Sequence, residues 1–306
     1  MTDYFDLAVA WDWAYDREFI QILECQLHSH RLLFYSISHH NADETLKSLK
    51  KGDLQFGAFL DRASDSDERF LPLSRFLRQT VQLSMNPPET IRLAADKATM
   101  HLEFLASGIN VPFTIIISPY NKKSEIELSL TDLAHLGRPF IIKPANTTGG
   151  GTGVIVGAET LKDVIDSRQH HKNDKYLLQQ KINPFILDGR KGWYRVLCIF
   201  GQPFPCWWDD ETHVYTMMTR ADVMHYGLRP LITITRKIHE ICGLDFFSTE
   251  IAATPERKFV AVDYVNETCD MRLQSLHPDG VPDVLVQEIS RRIARHLKSH
   301  LRRRPA

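Results

Sequence analysis

PFIIKPANTTGGGTGVIVG, residues 139–157, reads as an apolar strand, a flexible turn and a second apolar strand. The first strand presents Lys143, and the turn over residues 147–153 contains four glycines and three threonines. Glycine reaches backbone conformations closed to other residues and lets the chain approach an anion closely. Successive backbone N–H groups can then cradle a phosphate, with hydroxyls and a lysine as further donors. The pattern predicts a phosphate-binding strand–loop–strand, although a plain flexible loop beside a lysine gives the same pattern.

Size, charge and cysteine usage restrict the class of protein. The chain has 306 residues, 43% of them hydrophobic and 25% charged, which is ordinary globular composition. The formal net charge of -1 gives no global attraction to nucleic acid or to an acidic membrane. No apolar run is long enough to span a bilayer, and the N-terminus does not resemble a signal peptide. From the charge and the lack of a spanning segment, we expect a protein that binds neither nucleic acid nor membranes. Because the five cysteines are dispersed without a CxxC pair, we expect reduced thiols in a cytoplasmic protein.

The order of predicted strands and helices changes along the chain. Residues 1–95 alternate strand and helix, which is typical of a mostly parallel sheet. A single long helix is predicted from Asn86 to Gly108, with Asn86 as its cap, prolines in the first turn and the glycine as its stop. Residues 96–190 then read as a small α+β lobe, and residues 191–306 as a third unit with long strands and a terminal amphipathic helix.

Two strands of the third unit carry acids in otherwise apolar surroundings. Glu250 lies in FFSTEIAAT, and Asp263 and Asn266 lie in VAVDYVNETCD. A buried acid is costly unless something pairs with it, and two on adjacent strands repel each other. Carboxylate and amide oxygens are hard ligands suited to Mg²⁺ or Mn²⁺, which would be shared between them. The alternative is that both acids form ion pairs with lysine or arginine and bind no metal.

At this point the order of motifs resembles a known family. The chain is similar to the ATP-grasp superfamily, in the glutathione-synthetase and D-alanine–D-alanine-ligase-like branch, with the closest likeness to the ribosomal-protein glutamate ligases. The resemblance covers nearly the whole chain. It implies an N-terminal αβ (pre-ATP-grasp) domain over 1–95, a small lobe with the glycine-rich loop over 96–190 and a large lobe with the metal ligands over 191–306. The nucleotide would lie between the two lobes.

The same resemblance assigns the nucleotide-binding residues of this chain. Two lysines would hold the phosphates together with the glycine-rich loop, and the strand YLLQQKI would read adenine. One glutamine would take the polar position near the exocyclic amine, and two backbone positions would contact the ring edge. An aspartate a few residues after this strand is a candidate for binding the ribose hydroxyls. In that order the residues are Lys97 and Lys143; Thr148, Gly149, Gly150, Gly151 and Thr152; Gln179 or Gln180; Lys181 and Ile182; and Asp188.

The metal ligands and catalytic residues also follow from the resemblance, with one departure. Glu250, Asp263 and Asn266 match the three magnesium ligands, yet the family spaces the last two as acid-x-Asn, and here one more residue separates them. The extra residue predicts a bulge that re-aims Asn266, and Asp270 is an alternative ligand. Arg195 would lie near the transferred phosphate, and Arg272 would hold a substrate carboxylate or acyl phosphate. With Lys143, these two arginines form the expected catalytic set.

The resemblance implies an ATP-dependent carboxylate–amine (or thiol) ligase, which would be magnesium-dependent and would release ADP and phosphate through an acyl-phosphate intermediate. Its partners would be a small carboxylate and an amine, and homodimers are common in the family. One alternative is a small-molecule kinase on the same scaffold, with an alcohol as acceptor. The aromatic and acidic stretch 202–218 disfavours a polyphosphate substrate for such a kinase. The other alternative is a non-catalytic ATP-binding protein that has kept the fold.

Overall fold

The N-terminal part of the chain forms a parallel sheet, as its alternating pattern predicts. The computed structural model describes residues 2–146 and 151–301. All neighbouring strands of this first sheet are parallel, and their order is β2-β1-β3-β4. The strands are β1 (Asp3–Trp11), β2 (Phe34–Ile37), β3 (Leu54–Arg62) and β4 (Leu83–Met85).

Helices cover both faces of this sheet. They are α1 (Arg17–Ser29), α2 (Ala42–Lys51) and α3 (Leu71–Thr80). In β1, Leu7 and Val9 pack into a core with α1, whereas Ala8 and Ala10 pack into another with α2 and α3. The alternation follows from the two-residue period of a strand, because successive side chains point to opposite faces.

The predicted single helix between Asn86 and Gly108 is wrong, because the chain forms two helices there. They are α4 (Pro88–Ala95) and α5 (Lys97–Ala106), and Asp96 between them has an extended backbone. The Asp96 carboxylate accepts the backbone N–H groups of Ala98 and Thr99 at 3.0 and 3.2 Å. Asp96 is therefore the N-cap of the second helix, which satisfies donors that the start of a helix leaves unpaired.

Asn86 does not cap a helix either. It has a φ of 48°, and α4 begins after Pro87. Its amide oxygen accepts the backbone N–H of Phe246 at 3.0 Å, and its amide nitrogen donates to the carbonyls of Phe246 and Glu267. The side chain is buried, so Asn86 joins the end of the first sheet to strands far along the chain.

A second, antiparallel sheet contains the glycine-rich hairpin. Its order is β5-β8-β6-β7, and two helices cover one of its faces around a core that includes Phe140 and Ile142. The strands are β5 (Thr114–Ile117), β6 (Phe140–Pro144), β7 (Ile155–Ala158) and β8 (Tyr176–Gln180), and the helices are α6 (Leu130–Leu136) and α7 (Leu161–Arg168).

A short hairpin follows the second sheet. Its strands are β9 (Ile186–Leu187) and β10 (Arg190–Lys191), which pair antiparallel. The connecting residues Asp188 and Gly189 have φ angles of 48° and 82°. Positive φ at both positions is the signature of the type I′ turn, for which Asp-Gly is a favoured sequence.

The third sheet is a five-stranded antiparallel sheet with the order β13-β12-β11-β14-β15. Its strands are β11 (Trp193–Ile199), β12 (Gln202–Trp208), β13 (Tyr215–Met217), β14 (Phe246–Ala253) and β15 (Phe259–Asn266). The accompanying helices are α8 (Arg220–His225), α9 (Arg229–Cys242) and α10 (Asp283–His300). None of the helices within 2–146 and 151–301 is long and apolar enough to cross a membrane.

A buried ion pair joins the first sheet to the segment that follows β15. The Arg62 guanidinium donates to both oxygens of Asp16 at 2.8 and 2.6 Å, and also to the carbonyl of Cys269 at 2.9 Å. The two charged side chains are 3% and 1% exposed. One hydrophobic core continues across this junction, since it contains residues of α1, β11 and α10 together. The division at residues 95 and 190 stays a prediction.

Candidate functional site

Three charged side chains form one row across the third sheet. Arg195 on β11 pairs with Glu250 on β14, and Glu250 pairs with Asp263 on β15. The Arg195 guanidinium donates to one Glu250 oxygen at 3.0 Å, and the Trp193 indole donates to the other at 3.1 Å. Cross-strand partners lie on the same face of a sheet, so the sequence-predicted acids Glu250 and Asp263 come together.

The environment moves the pKa values of these groups in opposite directions. Burial, together with the nearby Asp263 carboxylate, raises the pKa of Glu250 against the pull of Arg195. Burial also acts to raise the pKa of Asp263, but the cations Lys97, Lys143 and Arg195 outweigh it and lower that pKa. Burial opposes the charge of Arg195, yet its anionic surroundings raise the pKa of the guanidinium. A strong local positive potential therefore surrounds Asp263.

The two predicted phosphate-binding lysines reach Asp263 from different elements. Lys97 is the first residue of α5, and its Nζ lies 3.8 Å from a carboxylate oxygen of Asp263. Lys143 on β6 is buried and donates to the carbonyl of Val262 at 3.1 Å. Burial lowers the pKa of Lys143, an effect that Asp263 partly offsets. The backbone N–H of Lys97 also donates to the Ala145 carbonyl at 3.0 Å, which ties the start of α5 to the end of β6.

The predicted bulge lies next to Asp263. Ser248 of β14 pairs with Asn266, and Glu250 pairs with Asp263. One residue separates the two positions on β14 and two residues separate them on β15, so β15 has one extra residue here. In a regular strand, positions 263 and 266 would point to opposite faces, because they are three residues apart and side chains alternate. The shift instead places Asn266 opposite Ser248, on the face that carries Glu250. A second shift follows between Glu250 and Ile251.

The three predicted metal ligands therefore share a face of the third sheet, and their oxygens fit a hard divalent cation. No three histidine, cysteine, aspartate or glutamate side chains gather as a metal site anywhere in the described parts of the chain. The predicted ligand set contains two residues of these types, Glu250 and Asp263, and its third member is the side-chain amide of Asn266. Both carboxylates have cationic neighbours, as the metal-free alternative predicts. Lys97, Lys143 and Arg195 all act on Asp263, so an anion placed beside them would be attracted as well.

The glycine-rich loop is described only at its ends. Thr148, Gly149 and Gly150 lie outside the described residues. Gly151 and Gly153 follow with φ angles of 78° and 74°, which favour glycine, and Thr152 lies between them. At the other end, the backbone and side-chain N–H groups of Asn146 both donate to Asp174 at 2.9 Å. This contact fixes the point at which the chain leaves β6.

Two predicted adenine-reading glutamines have different surroundings. Gln180, at the end of β8, is exposed, and the following Lys181 is exposed as well. Gln179 is 1% exposed, and its amide nitrogen donates to the hydroxyl of Tyr264 at 2.9 Å. Ile182 is half-buried just beyond the strand. Only Gln179 therefore points into the protein interior.

Sequence reasoning missed two residues beside Gln179. The Tyr264 hydroxyl lies 2.6 Å from Nδ1 of His101, which is buried on α5, and burial lowers the pKa of that imidazole. His101 follows Lys97 by four residues, so both side chains lie along one side of the helix. That spacing could have indicated His101, and Tyr264 directly follows the predicted ligand Asp263.

The remaining predicted residues already have protein partners. Asp188 occupies the β9–β10 turn and accepts a hydrogen bond from the Tyr226 hydroxyl at 2.7 Å. Arg272 forms ion pairs with Asp270 at 2.6 Å and with Asp279 at 2.8 Å. A substrate carboxylate at Arg272 would share the guanidinium with two aspartates, and Asp270 is bound to that arginine.

A half-buried acid outside the predicted set lies near Lys97. Burial raises the pKa of Glu267, and Lys97 acts to lower it, so the two side chains lie within electrostatic reach. Glu267 directly follows Asn266, and the Asn86 side chain holds its carbonyl at 3.1 Å. The acid is visible in the sequence VNETCD, but only the fold brings it near Lys97.

Comparisons with known proteins bear on the fold of the chain. No protein-family model matches the chain, and no curated protein matches it by sequence. Solved structures do match. A RimK-domain ATP-grasp protein from Sphaerobacter thermophilus superimposes with a TM-score of 0.63 at 18% identity, covering 95% of this chain and 98% of that one.

Two further structures are similar over nearly their full length. The D-alanine–D-alanine ligase of Bacillus anthracis complexed with ATP has a TM-score of 0.61 at 12% identity, with 96% and 98% of the two chains covered. The ATP-grasp ligase PsnB, complexed with the precursor peptide PsnA2 and AMPPNP, has a TM-score of 0.64 at 14% identity, with 99% and 100% covered. Identities this low establish architecture alone. The chain has the ATP-grasp fold.

Proposed function

We propose that this protein is a magnesium-dependent carboxylate–amine ligase that converts ATP to ADP and phosphate through an acyl phosphate. The observation that carries the proposal is the convergence of Lys97, Lys143 and Arg195 on the Glu250–Asp263 pair. Three cations that meet at one place attract an anion, and the phosphates of a nucleoside triphosphate supply one. The ligases with the same fold, the D-alanine–D-alanine ligase and PsnB, support the reaction class.

In this proposal the two lysines bind the phosphates. Lys143 is buried on a strand and Lys97 starts a helix, so both ammonium groups are held by regular structure. The backbone N–H groups of residues 148–152 would add donors over the phosphates. Phosphoryl transfer asks for little covalent chemistry from the protein, and positioning with electrostatic stabilisation supplies most of the rate.

Glu250, Asp263 and Asn266 would hold Mg²⁺, which when bound neutralises charge that develops on the phosphate oxygens. Mn²⁺ has the same preference for oxygen ligands. Arg195 donates to one oxygen of Glu250 in the same cross-strand row, so it would lie beside a phosphate bound at that row. We assign it to stabilising the oxyanion formed when the amine attacks the acyl phosphate. Arg272 would bind the substrate carboxylate in competition with Asp270 and Asp279.

The nucleoside end of ATP would extend toward the hinge after β8. The backbones of Lys181 and Ile182 would contact the ring edge, and Gln179 or Gln180 the exocyclic amine. Asp188 would reach the ribose only by exchanging or sharing its hydrogen bond from Tyr226. PsnB is complexed with a precursor peptide, so we include peptide carboxylates beside small ones among the candidate substrates.

The experiment combines ADP release with hydroxamate formation. Purified protein is incubated with ATP, Mg²⁺ and hydroxylamine, together with pools of amino acids, small carboxylates and acidic peptides. We expect hydroxamate only with a particular carboxylate pool, and removal of magnesium by EDTA should abolish it. Lys143→Ala and Glu250→Gln should each lower the rate by about 10²–10³, the cost of losing one preorganised electrostatic group.

Lys162→Ala is the matched control for the lysine variant, because Lys162 is exposed on α7 and forms its ion pair with the exposed Asp166. It should leave the rate unchanged. ADP release with an alcohol pool and no hydroxamate would favour the kinase alternative. Tight ATP binding without ADP release from any pool would favour a non-catalytic nucleotide-binding protein. Either result would overturn the ligase proposal.

A further inference from the structure

A buried acceptor without a partner lies on the β8 strand. Gln179 is 1% exposed, and its carbonyl oxygen Oε1 accepts no hydrogen bond from any described residue. Burying a polar oxygen without a partner is unfavourable, and native proteins rarely do so without a reason. The amide nitrogen of the same side chain, in contrast, has two partners, Tyr264 and Thr114.

The partners fix which way the amide points. The Thr114 hydroxyl donates its proton to the Pro112 carbonyl at 2.9 Å, so toward Gln179 its oxygen acts as an acceptor, at 3.3 Å from the amide nitrogen. The Tyr264 oxygen likewise accepts from that nitrogen at 2.9 Å. Tyr264 can then give its own proton to Nδ1 of His101 at 2.6 Å. With Nδ1 of His101 as the acceptor, the single hydroxyl proton of Tyr264 is used there, and this chain of bonds runs in one direction.

The chain of bonds lies beside the proposed nucleotide site. On the second sheet, Gln179 pairs with Ile141, and Leu177 pairs with Lys143. Since Leu177 and Gln179 are two residues apart on β8 and share a face, Lys143 lies on the same face of the sheet as Gln179. His101 lies one helical turn after Lys97, and β8 ends directly before residues 181–182, which the proposed function places against the edge of the base. The free oxygen therefore belongs to the strand that leads from the phosphate end toward the base end.

We infer that His101 and Tyr264 are positioning residues that hold the Gln179 amide with its oxygen toward the base, and so select ATP over GTP. This inference rests on the proposed nucleotide site. Adenine carries an amino group at position 6, which donates to Oε1, whereas guanine carries a carbonyl oxygen there. With the amide held, guanine would place two acceptors against each other. If the amide were free to turn, it could serve either base by exchanging its ends.

The test is nucleotide binding by calorimetry with three probes: ATP, GTP, and a purine riboside triphosphate that lacks the 6-amino group. We expect the unmodified protein to prefer ATP over the unsubstituted purine by about tenfold, the worth of one well-formed hydrogen bond, and over GTP by more. Gln179→Leu should bind ATP no better than the purine analogue. Tyr264→Phe and His101→Phe should each bring the ATP-to-GTP ratio down by about three- to tenfold, because the amide can then turn.

Tyr194→Phe is the matched control, since Tyr194 is also a buried tyrosine of the third sheet, and its hydroxyl has no hydrogen-bond partner among the described residues. It should retain the base preference. An unchanged ATP-to-GTP ratio in both Tyr264→Phe and His101→Phe would overturn the inference. So would equal binding of ATP and GTP by unmodified protein that forms hydroxamate, and the ligase proposal would then survive. Failure to bind any of the three nucleotides would overturn both.

Discussion

Loss of the Asp16 carboxylate should destabilise this protein far more than loss of an ordinary surface acid. Asp16 and Arg62 are 1% and 3% exposed, and Arg62 donates to both carboxylate oxygens. Asp16→Ala leaves a guanidinium buried without its counterion. Breaking such a pair from one side costs about 3–5 kcal/mol, because the remaining charge is desolvated and uncompensated. Removal of an exposed helix ion-pair partner, as in Asp166→Ala, should cost about 0.3–0.5 kcal/mol.

Urea unfolding followed by circular dichroism gives both free energies of unfolding, provided that the slope with denaturant is the same in the variants. The double variant Asp16→Leu with Arg62→Met should recover most of the loss, since apolar replacement of a buried pair is often neutral or stabilising. A difference of less than about 1 kcal/mol between Asp16→Ala and Asp166→Ala would refute the reasoning, because the pair would then behave as a solvated one.

Three further changes test other parts of the structure. Asn86→Ala should lower the free energy of unfolding, measured by urea titration, by about 2–4 kcal/mol, because the backbone N–H and carbonyl of Phe246 both lose their side-chain partner. Asn86→Asp should recover only part of this loss, because a carboxylate can accept the N–H of Phe246 but cannot donate to its carbonyl. Gly280→Ala should cost about 1–3 kcal/mol, because its Cβ would lie 2.8 Å from the Leu273 carbonyl carbon; a thermal midpoint equal to that of the unmodified protein would contradict this. Burial and neighbouring positive charge lower the pKa of His296 to about 4 from 6.5, so the unfolded chain takes up its proton first and stability falls as pH drops from about 6.5 to about 4. The urea midpoint of His296→Phe should fall less over this range, and parallel pH profiles would argue against the assignment.

Local patterns in the sequence predicted the architecture well. The alternation over 1–95 gives a parallel sheet, and 139–157 gives an antiparallel hairpin that presents Lys143. The extra residue before Asn266 gives a bulge at Asp263. These features depend on periodicity and spacing within one or two strands, which a sequence displays directly. All five cysteines are unpaired in the structure, and four of them are buried.

Features that depend on distant partners escaped prediction. Asn86 looks like a helix cap, yet its side chain binds the backbone of Phe246, which lies 160 residues away. Asp96 lies between two segments that both favour helix, so no local pattern separates a cap from a helical residue. His101 and Tyr264 meet only because α5 packs against β15, which no spacing in the sequence reveals.

The charge balance around Asp263 has a consequence for the order in which ligands bind. Arg195 already occupies one oxygen of Glu250, and Lys97 lies 3.8 Å from Asp263, so the two carboxylates are largely neutralised by protein cations. A divalent cation arriving alone would compete with these cations for the carboxylates, whereas a polyphosphate anion would be attracted by Lys97, Lys143 and Arg195. We therefore expect metal and nucleotide to bind as one unit, each making the other's affinity higher, with free magnesium alone binding weakly.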